Sequence, residues 1–173
     1  IDRKIKVVRP DKAGAKEIMG IYLTADLPID QATVEKHGGG NLNDAVTDLV
    51  GQTVEEVFAR RDDTRFLEVL FRSGRKEILH RGELCSGAIL ESIVQRAKEL
   101  AIRRSIASGS YGGISLEDLL QAAETEYVEN EIFPPTDNTE DWLKLLDYDP
   151  ANVVRASPIR PNRNAFRKGS GVV

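Results

Sequence analysis

The chain has 173 residues, 40% apolar and 30% charged, with a formal net charge of −4, which suits one domain, or a small domain with an extension, around a packed core. The acidic balance argues against a nucleic-acid binder that works by neutralising phosphates. A single cysteine, Cys85, excludes an internal disulfide and fits a reducing compartment, and no apolar run has the length of a membrane span.

The start at Ile1, without Met and without a visible signal peptide, suggests a fragment or a processed product. IDRKIKVVRPD reads as a short strand of β-formers stopped by Pro10. Asp11 is placed to cap a helix whose face is Ala15, Ile18, Met19, Tyr22 and Leu23. Residues 25–40 read as loop, with Pro28 and the mobile run Gly38-Gly39-Gly40 as punctuation. A second helix is predicted over 43–60, burying Leu42, Ala45, Val46, Leu49, Val50, Val54, Val57 and Phe58.

The period then changes. Residues 65–72 and 76–81 flank Ser73-Gly74 and predict a β-hairpin, with Leu67, Val69 and Phe71 on one face. LCSGAILESIVQRAKELAI is the strongest helical stretch, with Ser86 as N-cap. Its face Leu90, Ile93, Val94, Ala97 and Leu100 is predicted to pack on the helices holding Leu49 and Leu119. Gly109, Gly112 and Gly113 end it, and Ser115 caps a further helix with Leu116, Leu119, Leu120, Ala123 and Tyr127 on its apolar face. A short helix, TEDWLKLLD, follows Pro134-Pro135, anchored by Trp142 and Leu145. An isolated hairpin is marginal in water, so Val153 and Val154 predict a late third strand beside it. The basic cluster Arg155, Arg160, Arg163, Arg167 and Lys168 lies among Pro and Asn and reads as a solvated tail. The expected fold class is α+β, mainly α: a helical bundle with an inserted hairpin that forms a small sheet.

Catalytic constellations are sparse. His80 and Cys85 fall short of the four ligands of a structural zinc site, and Cys85 lacks an evident base. Asp62-Asp63 and the run Glu124, Glu126, Glu129 and Glu131 read as solvated faces. The triple glycine lacks the Lys-Ser/Thr of a phosphate loop. The residues therefore name no catalytic group and no metal ligand.

Four stretches in order nevertheless carry a family likeness. IDRKIKVVRPD resembles the last core strand of an AAA ATPase large subdomain. DKAGAKEIMGIY resembles the first lid helix, CSGAILESIVQRAKELAI the lid helix that opens with Ser-Gly-Ala, and ISLEDLLQAAE the final lid helix. YLTADLP, DDTRFLEVLFRSGRKEILHRGELCSGA, RAKELAI and NTEDWLKL resemble in particular the actinobacterial proteasome-associated ATPases, the Mpa or ARC family. The hairpin before Ser-Gly-Ala is the most specific part, because ordinary AAA lids lack it.

The resemblance implies residues 1–10 as a core strand, 11–133 as the lid with the hairpin 64–81 inserted, and 134–173 as a C-terminal extension. It implies the C-terminal piece of a cytoplasmic, homo-hexameric ATPase that uses ATP with Mg to unfold Pup-tagged proteins for a proteasome core particle. Nucleic acid and membrane are not among the implied partners. The phosphate loop and metal carboxylates would lie upstream, so the piece alone is expected to be inactive. By the match, Ile18 and Tyr22 would line the base and ribose. Gly87 and Ala88 would let backbone approach the nucleotide, and Ser86 would open a helix N-terminus towards it. Two departures stand out: Ile89 occupies a position where many AAA lids have Asp, and the chain ends Gly171-Val172-Val173 rather than in the proteasome-docking Gly-Gln-Tyr-Leu. The same residues also admit a helical protein-interaction module with no nucleotide role. A helix-turn-helix regulator using Arg96, Lys98, Arg103 and Arg104 is the weaker alternative.

Overall fold

The computed structural model describes residues 9–129, 133–134 and 138–159. The strand expected over 1–8, Glu131 and the basic tail from Arg160 onward lie outside the described residues. Two compact units emerge, one of Ile1–Ala59 with Arg81–Asn130, the other of Arg60–His80 with Glu131–Val173. The hairpin thus groups with the late segment rather than with the helices on either side of it in sequence.

The first unit is helical. Asp11 caps α1 (Lys12–Tyr22) by accepting from Gly14 N at 2.7 Å, and Ala15, Met19 and Leu23 are fully buried. The loop expected over 25–40 instead contains α2 (Gln31–Gly38). Asp30 accepts from Thr33 N at 3.0 Å, and Gly39 closes the helix in the left-handed conformation, φ 55°. The glycine run is thus a helix stop, not a mobile loop. Asn41 caps α3 (Leu42–Val57), which ends earlier than residue 60. Its face is buried as expected from Ala45 to Val57, but Leu42, in the first turn, is exposed.

A 3-10 turn, Arg81–Leu84, leads into α4 (Gly87–Ser108), and Gly109 terminates that helix at φ 67°. In α5 (Leu116–Glu129) the cap is reciprocal: Asp118 N donates to Ser115 Oγ at 3.2 Å and Ser115 N donates to Asp118 Oδ2 at 2.9 Å. α4 lies mainly against α5 and α1, while α3 lies against α2, α1 and α5. The place expected for the Leu49 helix beside α4 is therefore taken by α1. Leu90, Ile93 and Ala97 are fully buried, whereas Leu100 is half-buried.

The acidic run of α5 also departs from a solvated face. Glu126 is 2% exposed and accepts from Arg96 Nε at 2.6 Å, and Glu124 pairs with Arg81. The α4–α5 turn is clasped to the α1–α2 loop. Ile114 N donates to Pro28 O at 2.9 Å, and Asp30 N donates to Ile114 O at 3.0 Å. Arg104 grips the Asp118 carboxylate through both terminal nitrogens and donates to Gly113 O at 2.8 Å. Gly113 packs so closely that a Cβ would stand 2.5 Å from Pro28 O.

The second unit is a three-stranded antiparallel sheet of order β2-β1-β3, with β1 at Arg65–Phe71, β2 at Lys76–His80 and β3 at Val153–Pro158. The late segment is thus the third strand, with Val69 opposite Ala156 and Leu70 opposite Arg155. Arg155, expected in a solvated tail, is an exposed strand residue. Leu67 and Val69 are buried as expected, and Phe71 only partly. The short α6 (Thr139–Leu145) packs on β3 and buries Trp142 to 1% exposure, while Leu146 rather than Leu145 is its second buried anchor. Phe66, Phe133 and Trp142 gather into an aromatic cluster with centroid distances of 4.7, 6.1 and 6.2 Å.

Candidate functional site

The residues that the resemblance marks for nucleotide sit on two elements of the helical unit. Ile18 and Tyr22, one turn apart on α1, share a face by their i, i+4 spacing. Both are half-buried, while Ala15 and Met19 carry the fully buried side of the helix. Ser86, Gly87 and Ala88 form the start of α4. Ser86 has extended backbone, φ −140°, ψ 165°, and its Oγ accepts from Ile89 N at 3.3 Å. The first intrahelical bond follows, Leu90 N to Ser86 O at 3.1 Å. The N–H groups of Gly87 and Ala88 precede it and belong to the turn that an α-helix leaves unused within itself.

Packing of α1 on α4 brings Ile18 to Gly87 although 69 positions separate them in sequence. A Cβ on Gly87 would lie 3.8 Å from Ile18 Cγ2, an ordinary contact, and apart from its chain neighbours and its own helix backbone no other described residue comes within 4 Å. Ala88 is exposed and Ser86 half-buried. The result is a half-open apolar corner: an isoleucine on one wall, unsubstituted backbone on the other, and a helix N-terminus at its edge. A flat ring with an attached anionic chain has the complementary chemistry, since its faces meet apolar groups and its charge favours the helix start. Ile89, standing where many AAA lids have Asp, is 1% exposed and serves the core.

Other candidates resolve differently. Burial pushes the Cys85 thiol up to about 11, away from the thiolate that nucleophilic or metal chemistry needs. Desolvation likewise raises the Tyr127 hydroxyl well above its usual range, and its oxygen donates to Arg81 O at 2.8 Å. No group of three or more metal-ligating side chains occurs among the described residues, and no helix there is long and apolar enough to cross a membrane. His37 meets Asp48 Oδ2 at 2.7 Å and bridges α2 to α3. Arg96 and Arg104, weighed above for DNA, are engaged with Glu126 and Asp118.

The family described as "ARC, AAA+ ATPase lid domain" matches residues 10–172. A proteasome-associated ATPase of Acidimicrobium ferrooxidans is 47% identical over 145 residues, 84% of this chain and 25% of that protein. One from Sanguibacter keddieii is 39% identical over 172 residues, 99% of this chain and 28% of that protein. An "AAA ATPase forming ring-shaped complexes" from Corynebacterium kroppenstedtii is 36% identical over 165 residues, 94% of this chain and 28% of that protein. The chain spans about a quarter of the length of these relatives. What the matches establish is the lid; the C-terminal placement implied by the resemblance is no part of them. By that match the chain belongs to the ARC AAA+ ATPase lid domain family.

Proposed function

We propose that these residues form the adenine-facing lid of a ring-forming, proteasome-associated ATPase. Ile18 and Tyr22 would hold the base and ribose, and Gly87 and Ala88 would offer backbone beside them. Ser86 sets the direction of the helix start towards anionic groups. The observation that carries the reading is the meeting of Ile18 with Gly87, two positions that the family resemblance assigns to one nucleotide site. The relatives' names support a ring-forming ATPase associated with a proteasome. The wider role proposed with it, from the family resemblance, is a cytoplasmic homo-hexamer that uses ATP with Mg to unfold Pup-tagged proteins for that proteasome. The 173 residues contain no phosphate loop, so alone they are expected to bind adenine nucleotides weakly and not to turn over ATP.

The test is Gly87→Val in the whole subunit. A Cβ at this position makes only an ordinary contact, so the lid is expected to keep its fold while the branched methyls enter the corner. The dissociation constant for ADP should rise about tenfold, equivalent to ~1.4 kcal/mol. Unchanged affinity in a folded variant would reduce Ser-Gly-Ala to a helix start. The second reading would then lead, a helical protein-interaction module, favoured by the exposed Ile102, Ile106 and Tyr111.

A further inference from the structure

The turn that precedes Ser86 is held by three elements of the helical unit. A Cβ on Gly82 would fall within 2.8 Å of the Phe58 ring, so the turn rests directly on the end of α3. Tyr127 of α5 donates to the Arg81 carbonyl. The third hold is Arg9, whose Nη1 donates to the Leu84 carbonyl at 2.8 Å across 75 residues of chain. Leu84 and Cys85 are both fully buried, so the accepting carbonyl belongs to a rigid part of the turn. Burial also lowers the Arg9 pKa, although a guanidinium remains charged at any physiological pH.

The position of this bond is informative. Arg9 is followed by Pro10, whose ring fixes its own φ, and by Asp11, the cap of α1. Leu84 is followed by Cys85 and by Ser86, the cap of α4. The bond from Arg9 to Leu84 therefore links the roots of the two helices whose faces meet at Ile18 and Gly87. Phe58 and Tyr127 fix the turn to α3 and α5, while Arg9 ties it to the segment that leads into α1.

We propose that Arg9 is a positioning residue for the nucleotide corner: its bond to the Leu84 carbonyl sets the distance between the Ile18 wall and the Gly87 wall. The proposal rests on the adenine-facing reading above. Arg9 touches no ligand in this scheme and acts through the spacing of the two helix starts.

The experiment uses the whole subunit, a fluorescent ADP analogue as probe, and inorganic tripolyphosphate as competitor. Arg9→Met should weaken the ADP analogue about tenfold while tripolyphosphate affinity stays within about twofold, because only the base-facing walls are displaced. Arg9→Lys, which keeps a donor and the charge, should recover most of that loss. Equal weakening of both probes, or no recovery with Lys, would overturn the positioning role in favour of general destabilisation. Unchanged ADP binding in Arg9→Met, beside a loss in Gly87→Val, would sink this proposal and leave the adenine reading standing. No loss in either variant would sink both. Should Arg9→Met fail to fold, Arg9→Gln decides: a loss confined to the ADP analogue supports the role, and the absence of such a selective loss refutes it.

Discussion

The helical unit and the sheet unit hold together in opposite ways. In the helical unit each long helix begins with a cap from an adjacent residue, Asp11, Asn41, Ser86 or Ser115, and then buries a face many residues long. Its stability is spread over numerous side chains, most of them signalled locally. In the sheet unit β1 pairs with β2 through a tight turn and with β3 more than eighty residues later. Its aromatic cluster draws one ring each from three separate stretches, Phe66, Phe133 and Trp142. Contacts of long sequence separation must overcome loop closure before they stabilise anything. The sheet unit is therefore the one that a single lesion can dismantle.

Truncation after Ala151 tests this most severely. Removing β3 leaves β1 and β2 as a hairpin, which is marginal in water. Amide exchange protection in β1 should collapse while that of α4 is retained; full protection in β1 would show that β3 is dispensable. A core lesion in the helical unit should be milder in reach. Ile93 is fully buried, and Ile93→Ala should cost about 2–5 kcal/mol in denaturant melts with the unit still folded. A cost well below 1 kcal/mol would mean that the α4 face is not a core face.

The next prediction concerns pH. The Cys85 thiol is held at about 11, above the ~8.5 of an unfolded chain. Its folded pKa is raised, so the stability it contributes is fully present below about pH 8.5 and is lost as pH climbs towards 11. Cys85→Ala should therefore lose less stability over that window than the parent chain, read as the difference between their denaturant midpoints. Parallel curves would refute the buried-thiol assignment. The smallest effect is local: Ser115→Ala removes one half of the α5 cap and should cost about 1 kcal/mol. No measurable change in thermal midpoint would show that Asp118 alone suffices to start the helix.

What was legible in the sequence follows the same division. α1, α3, α4 and α5 announce themselves by caps and spacing, and β3 was inferred because a hairpin needs a third strand. α2 was missed because it is eight residues long and buries only Thr33 and Val34, too few for a period to show. Its cues were there in Asp30 and Gly39, which cap either end. Glu126 reads in sequence as a solvated carboxylate because its partner, Arg96, lies thirty positions away on another helix. The candidate site was the least legible part. Spacing alone gave Ile18 and Tyr22 as core and Ser86 as a cap; only the family likeness joined them to Gly87 and Ala88. Arg9 carried no sequence signal, since a side chain that reaches a backbone carbonyl 75 residues away leaves no pattern.

The clasp between the α1–α2 loop and the α4–α5 turn has a mechanical consequence. Ile114 is hydrogen-bonded on both sides to the Pro28–Asp30 segment, Gly113 leaves no room for slippage, and Arg104 ties the turn to the first residues of α5. These contacts link the α1–α2 loop to the start of α5 through backbone and side-chain hydrogen bonds. A displacement of the end of α1 is therefore expected to carry the start of α5 with it, because the backbone bonds at Ile114 and the Arg104 grip on Asp118 would otherwise have to break.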